Sequence, residues 1–167
     1  MVSRKASIYG ANNIRIGHDV RIDDFCFLVG KITLGNYIHL APYVSIHGTG
    51  GGSVTMEDFT ALSSGTAVYA ASDDYSGNSF TNPTVGEEYE KIIRSDILIE
   101  KHAIAGLHSV ILPNSHLAEG VALGAMCLIS GETEPWSIYV GVPGRKLKDR
   151  KKELLILERE FLKGHRL

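Results

Sequence analysis

Between Ile99 and Ile129 an aliphatic or small residue returns at every sixth position: Ile99, Ala105, Ile111, Leu117, Leu123 and Ile129. Two places earlier runs a second series of inward candidates, among them Ser109, Ser115, Val121 and Cys127. A period of six fits neither the 3.6 of a helix nor the plain alternation of one long strand. It fits short strands separated by corners. Residues i−2 and i then share a face, and the residue after i turns the corner. Small or turn-tolerant residues stand at many of those corners, as at Gly106, Ala118 and Gly124. Three sides close a coil of eighteen residues, and a hexapeptide period is a signature of a parallel β-helix. The expected fold is an all-β solenoid.

The same ladder opens the chain as Ile16, Ile22, Leu28, Leu34, Leu40 and Ile46, with Val20, Cys26, Ile32, Ile38 and Val44 in the earlier slots. After His47 the run Gly48-Thr-Gly-Gly-Gly-Ser53 inserts four residues before Met56, Leu62 and Val68 resume the pattern. No Lys-Ser/Thr follows those glycines and no helical pattern begins. A bulged corner beside a site is therefore expected rather than a phosphate cradle. Fifteen sides make about five coils, which stack to roughly 24 Å at the usual strand spacing. Residues 1–15 read as an N-terminal cap. From Gly144 onward Leu147, Leu154, Leu157 and Phe161 form an apolar stripe, read as a C-terminal α-helix able to cover the open end of the solenoid. The expected organisation is a β-helix domain over 1–143 and a helical cap over 144–167.

Between Val68 and Ile99 the ladder stops. The intervening loop, 69–98, is rich in polar turn formers yet carries aromatics and a proline, which predicts an ordered excursion rather than a floppy one. On a regular solenoid such an insertion is the natural binding arm. It contains no His, but offers Asp73, Asp74, Glu87, Glu88 and Asp96.

A net charge of −2 with 22% charged residues provides no global field toward nucleic acid or a membrane. No apolar run approaches membrane length, and the first residues hold no apolar signal core. A soluble, cytoplasmic protein is the expectation. Cys26 and Cys127 both fall on inward positions and are expected as buried free thiols.

The ladder, the Val121-Ala-Leu-Gly124-Ala125 segment and the exit Pro135-Trp136-x-Ile-Tyr139-x-Gly141-x-Pro143 together resemble the hexapeptide-repeat acyltransferases, whose fold is the left-handed parallel β-helix. The loop segments Ala71-Ser-Asp73-Asp74-Tyr75-Ser76-Gly77 and Asn82-Pro-Thr-Val85 are similar to bacterial surface-polysaccharide members, in particular the N-acetyltransferases of nucleotide-linked 4-amino-4,6-dideoxyglucose. The resemblance implies acetyl-CoA as acyl donor, dTDP-4-amino-4,6-dideoxyglucose or a relative as acceptor, and a role in O-antigen or capsule synthesis. It also implies a homotrimer with its sites between subunits. In the family, the pantetheine arm meets positions matching Gly106, Gly124 and Ala125, and basic residues after the exit proline approach the CoA phosphates. Those are Arg145 and Lys146 here, at the head of a cluster that also holds Lys148, Arg150, Lys151 and Lys152.

Acyl transfer needs an unprotonated nucleophile, a proton acceptor and donors for the oxyanion. Galactoside and maltose O-acetyltransferases, which this chain also resembles, carry a His in the excursion loop as base. A hydroxyl needs a good base, whereas a sugar amine has to lose only an ammonium proton and a carboxylate can suffice. The absence of a loop His therefore favours N-acylation, with sugar O-acetylation and a non-catalytic β-helix as alternatives. Asp74, with Asp73 beside it, is the candidate base or amine-orienting group, though both can equally cap a turn. His108, two residues after Gly106, is the alternative base. Tyr75, Asn82, His47 and Glu88 are candidates for substrate contact, and Trp136 for packing at the coil end. His18, His39, His102, His116 and His165 are expected at the surface or in subunit contacts. No metal is called for.

Overall fold

The computed structural model describes residues 1–82 and 84–164. The predicted His165, in the last part of the tail, and Pro83 of the loop motif lie outside those residues.

The six-residue ladder is the core. Ile22, Leu28, Leu34, Leu40, Ile46, Met56, Leu62, Val68, Ile99, Ala105, Ile111, Leu117, Leu123 and Ile129 are all buried, as are the earlier slots from Val20 and Cys26 to Val121 and Cys127. Their stacking is parallel and in register on three sides. One side sets Ile22 on Leu40, Leu40 on Leu62, Leu62 on Ala105, and Ala105 on Leu123. Tyr139 closes that column. The second side stacks Leu28, Ile46, Val68, Ile111 and Ile129. The third stacks Leu34, Met56, Ile99 and Leu117. Each fully buried aliphatic side chain contributes about 1.5–3 kcal/mol of transfer free energy, so the column is where the stability sits. Cys26 and Cys127 are buried free thiols.

The corners differ in detail from expectation. The residue after each marker does enter the corner, but the left-handed backbone comes two residues later. It falls on Asp19, Phe25, Tyr37, Tyr43, Phe59, His102, His108, Asn114, Met126 and Trp136, and on glycine at Gly65 and Gly120. What the marker's neighbour needs is space: a Cβ on Gly35 would stand 2.5 Å from Asp58 Oδ1, and one on Gly106 2.7 Å from Gly124 C and Ala125 N.

Two expectations about the ends are corrected. Residues 1–15 are more than a cap, since Ser7–Tyr9 and Ile14–Ile16 already pair in parallel with Phe27–Leu34 and start another turn of the solenoid. At the other end, the tail is not helical from Gly144. Arg145–Asp149 is a strand, antiparallel to Ser137–Val140, and the helix spans only Leu154–Gly164. Leu147 is exposed on that strand and leaves the proposed stripe. The helix does not roof the open end either. It lies along one corner, where Leu154, Leu157 and Phe161 line a groove with Tyr37, Phe59 and His102. The corner itself is a ladder of rings, Tyr37 stacked on Phe59 and Phe59 on His102.

Candidate active site

The excursion is an ordered arm. Ala71–Asp73 pairs antiparallel with Ile92–Arg94, joining Asp73 to Ile92 and Ala71 to Arg94. Its root lies against the glycine bulge. A Cβ on Gly50 would stand 2.8 Å from Ala71 Cβ, and one on Gly52 2.4 Å from Ser95 O. The glycines let the arm settle close to the solenoid.

The two candidate aspartates do different things. Asp74 is buried and fully engaged: its Oδ1 accepts the Ser76 N–H at 2.9 Å, and its Oδ2 lies 3.0 Å from Lys91 Nζ. The Ser76 amide, then the Lys91 ammonium, lower its carboxyl to about 2. It caps the turn after the first arm strand and ties it to the second. Asp73 is half-buried at the strand end, and its carboxylate has no partner among the described residues. Of the pair, Asp73 is the carboxylate open to a ligand.

His47 sits where the solenoid meets the arm. Its ring stacks between Phe27, at 5.2 Å, and Tyr69, at 4.1 Å, and burial lowers its pKa. Tyr69 leads directly into the arm. Tyr75 is exposed, with its hydroxyl 3.3 Å from Ser72 Oγ. Asn82 is exposed and accepts from the Thr84 N–H and hydroxyl through Oδ1. Glu88 is exposed near the arm's tip, in a short 3-10 turn over Glu87–Tyr89. Asp96, at the root, accepts from Ser53 Oγ.

His108 is on a different edge. Its N–H donates to Ser64 O, and its ring covers Gly65. Gly106, Gly124 and Ala125 occupy the same corner, so the structure groups His108 with the predicted pantetheine contacts. The amides need a correction, however. The Gly106 N–H donates to Leu123 O and the Gly124 N–H to Tyr139 O, so both hold the coils together. Among the described residues Ala125 N–H has no acceptor in the chain and is an open donor here. The strand Ala67–Tyr69 separates the corner at Gly65 from the arm, which begins at Ala71, so His108 and the arm lie at opposite ends of one side.

The basic cluster also divides. Arg145 is exposed and, among the described residues, pairs with no carboxylate, its side chain donating to Gly144 O. Lys146 is held by Glu134 and Asp149, both at 2.8 Å, which raise its pKa and occupy its charge. Arg150 is internal: it donates to the carbonyls of His102 and Gly120 at 2.9 Å. His102 itself is buried, 3.0 Å from Glu158 of the helix, rather than at the surface as expected. His18, His39 and His116 are each paired with a carboxylate at the surface or half-buried. Trp136 packs at the coil end, its ring filling the space over Gly120.

Sequence reasoning missed Lys91 as the partner of Asp74 and Tyr69 as the partner of His47. Asp74-x-Ser76 is a recognisable Asx turn, but an ion pair across 17 residues has no local signal.

No family model matches the chain. A search of curated proteins finds a dTDP-4-amino-4,6-dideoxy-D-glucose acyltransferase of Escherichia coli, 42% identical over 163 residues, which are 96% of this chain and 84% of the relative. This chain belongs to the nucleotide-sugar acyltransferases. Among solved structures, AntD, an N-acyltransferase from Bacillus cereus in complex with dTDP and 3-hydroxybutyryl-CoA, superposes on the acyltransferase with a TM-score of 0.95. The two are 48% identical, over 98% of this chain and 86% of AntD. A variant of AntD holds dTDP-4-amino-4,6-dideoxyglucose and coenzyme A. A hexapeptide-repeat acetyltransferase from Vibrio cholerae shares the fold at 20% identity and a TM-score of 0.71, covering 85% of this chain and 77% of its own. The acyltransferase's solenoid is thus the left-handed parallel β-helix. Among the described residues, no helix is long and apolar enough to cross a membrane.

Proposed function

We propose that the chain transfers an acetyl group from acetyl-CoA to the 4-amino group of dTDP-4-amino-4,6-dideoxyglucose, or a close nucleotide-linked amino sugar, in surface-polysaccharide synthesis. The observation that carries this is the end-to-end match to the Escherichia coli acyltransferase of that sugar. The AntD complexes with dTDP sugar and CoA support it.

The neutral amine attacks the thioester carbonyl, forming the C–N bond. Collapse of the tetrahedral intermediate breaks the C–S bond, and the proton given up by the amine is balanced by the one that the CoA thiolate takes up. Asp74 is a poor proton acceptor for this step. A carboxyl at about 2 lies about six units below a typical amine near 8. Its part is to hold the arm, while the unpartnered Asp73 accepts a hydrogen bond from the amine and aims its lone pair. His108 takes the proton at the thioester end, the open Ala125 N–H holds the developing oxyanion, and Arg145 meets the CoA phosphates. His108 and Asp73 sit about one side's length apart in a single chain, so a site using both draws them from two copies. This favours the homotrimer, with a site at each interface. His47, Tyr75, Asn82 and Glu88 are the residues placed to contact the nucleotide sugar. Cytoplasmic nucleotide sugar and CoA pools suit such a reaction.

Purified protein incubated with acetyl-CoA or 3-hydroxybutyryl-CoA and the amino sugar tests the reading, with CoA release and product mass as readouts. Acylation of the amino sugar is the expected result. Activity confined to hydroxy sugars would reassign the chain as an O-acetyltransferase.

A further inference from the structure

Residues 145–164 add nothing to the core: none of them is buried, along either the strand Arg145–Asp149 or the helix Leu154–Gly164. Phe161 sets its ring edge-on to Tyr37 and Phe59, yet stays 38% exposed. A segment with so little apolar burial is held only as firmly as its polar anchors allow. Two such anchors meet at one residue, His102. From the end of the strand, Arg150 Nη1 donates to the carbonyls of His102 and Gly120 at 2.9 Å and to Val121 O at 3.4 Å. The Arg150 N–H donates to Trp136 O at 2.7 Å, which extends the strand pairing by one residue. From the helix, Glu158 Oε2 lies 3.0 Å from His102 Nε2, and Glu158 Oε1 pairs with Lys101 Nζ. His102 is thus gripped by its backbone and by its ring.

We infer that Arg150 and Glu158 are positioning residues for acyl-CoA binding and act through Arg145. This rests on the proposed function, which sets Arg145 at the CoA phosphates, and adds what keeps Arg145 in place. Arg145 opens the exposed strand and Arg150 follows its last residue. That strand pairs on one side only, with Ser137–Val140, and the register shifts between Ile138 and Tyr139. An edge strand with every side chain in water frays readily. An arginine on a fraying strand loses conformational freedom when it closes on a phosphate, which weakens binding. Arg150 removes that freedom in advance, through a planar fork of donors that a lysine does not offer. Its own guanidinium is spent on main-chain carbonyls, so its effect on CoA is indirect. Glu158 supplies a second fixed point, and with two anchors on His102 the segment cannot pivot about either one.

CoA and dTDP binding are measured by calorimetry, alongside steady-state kinetics, on the wild-type protein, Arg150→Gln, Glu158→Gln, Arg145→Ala and Arg145→Ala/Arg150→Gln. Arg150→Gln should weaken CoA and raise the acyl-CoA KM about tenfold, and Glu158→Gln about threefold, the range of a lost charge-assisted hydrogen bond. In both, kcat, dTDP affinity and the nucleotide-sugar KM stay within about twofold, a split that a general loss of structure would not produce. On the Arg145→Ala background, adding Arg150→Gln should cost less than about twofold more, because the group it positions is gone. Wild-type CoA affinity in Arg150→Gln overturns the inference, and so does a full tenfold loss that persists on the Arg145→Ala background. If Arg150→Gln loses dTDP and CoA alike, it has misfolded and Glu158→Gln decides, with unchanged CoA affinity overturning the inference. Each of these failures leaves the enzymatic assignment standing. A wild-type protein that binds no CoA overturns both.

Discussion

Asp74 and Lys91 are joined twice. The Asp74 N–H donates to Lys91 O at 3.0 Å, and Lys91 Nζ lies 3.0 Å from Asp74 Oδ2. One contact is main chain and the other ionic, and together they close the arm across its two strands just above Asp73.

This closure depends on pH with a defined sign. The Ser76 amide and Lys91 lower the Asp74 carboxyl from the usual 3.8 to about 2. Its stabilising contribution is present above the usual value and is lost as pH falls through about 2. Pepsin cleavage within 71–94 should therefore accelerate as pH drops from about 4 toward 2. Asp74→Asn should already be cut quickly at pH 4 and show a much flatter dependence.

The two aspartates should separate kinetically. Asp73→Asn is expected to lower kcat at least about tenfold with little change in nucleotide-sugar KM, because it removes a group that acts on the reacting amine. Asp74→Asn and Lys91→Met should chiefly raise that KM, as the arm loosens, and leave CoA affinity unchanged. Steady-state kinetics on the three variants decide it, and the reverse pattern would return the amine-orienting role to Asp74.

Arg145 and Lys146 are neighbours with unequal prospects. Arg145→Ala should raise the acyl-CoA KM by roughly tenfold, the size expected for losing a charge-assisted hydrogen bond. Lys146→Ala should change it less than about threefold, since Glu134 and Asp149 already occupy that ammonium. Repeating the assay with dephospho-CoA shows which phosphate Arg145 meets.

Gly106→Ala should destabilise the solenoid by about 1–3 kcal/mol. Its new methyl would stand 2.7 Å from main-chain atoms of Gly124 and Ala125, which cannot swing away as a side chain can. Denaturant unfolding measures the loss. Ala125→Gly at the same corner, with an open side chain position, should cost far less.

Much of this protein was legible without coordinates. Ile22, Leu40, Leu62 and Ala105 could be assigned to one column because a side chain's direction along an extended strand follows from position alone, and three equal sides return each marker beneath the last. The insertions before Met56 and Ile99 left that register intact, so the bulge and the arm were visible as interruptions. The reading weakened where a residue's role depends on what lies across from it. Arg145–Asp149 and Leu154–Gly164 both look helical in isolation, but the first has an open sheet edge to pair with, beside Ser137–Val140.

Within the arm, Asp73 and Asp74 are the same residue in almost the same sequence setting, and chain order could name the pair but not divide the work. Which carboxylate is spent on the fold was decided by Lys91, 17 residues onward, reaching one and not the other. The six-residue period by itself determined the solenoid, its core and the place of the arm, because burial there repeats with position. Tertiary structure alone decided which carboxylate, amide and cation remain free for a ligand. Freedom to bind is what is left after long-range partners have been satisfied, and those partners meet only in the folded chain.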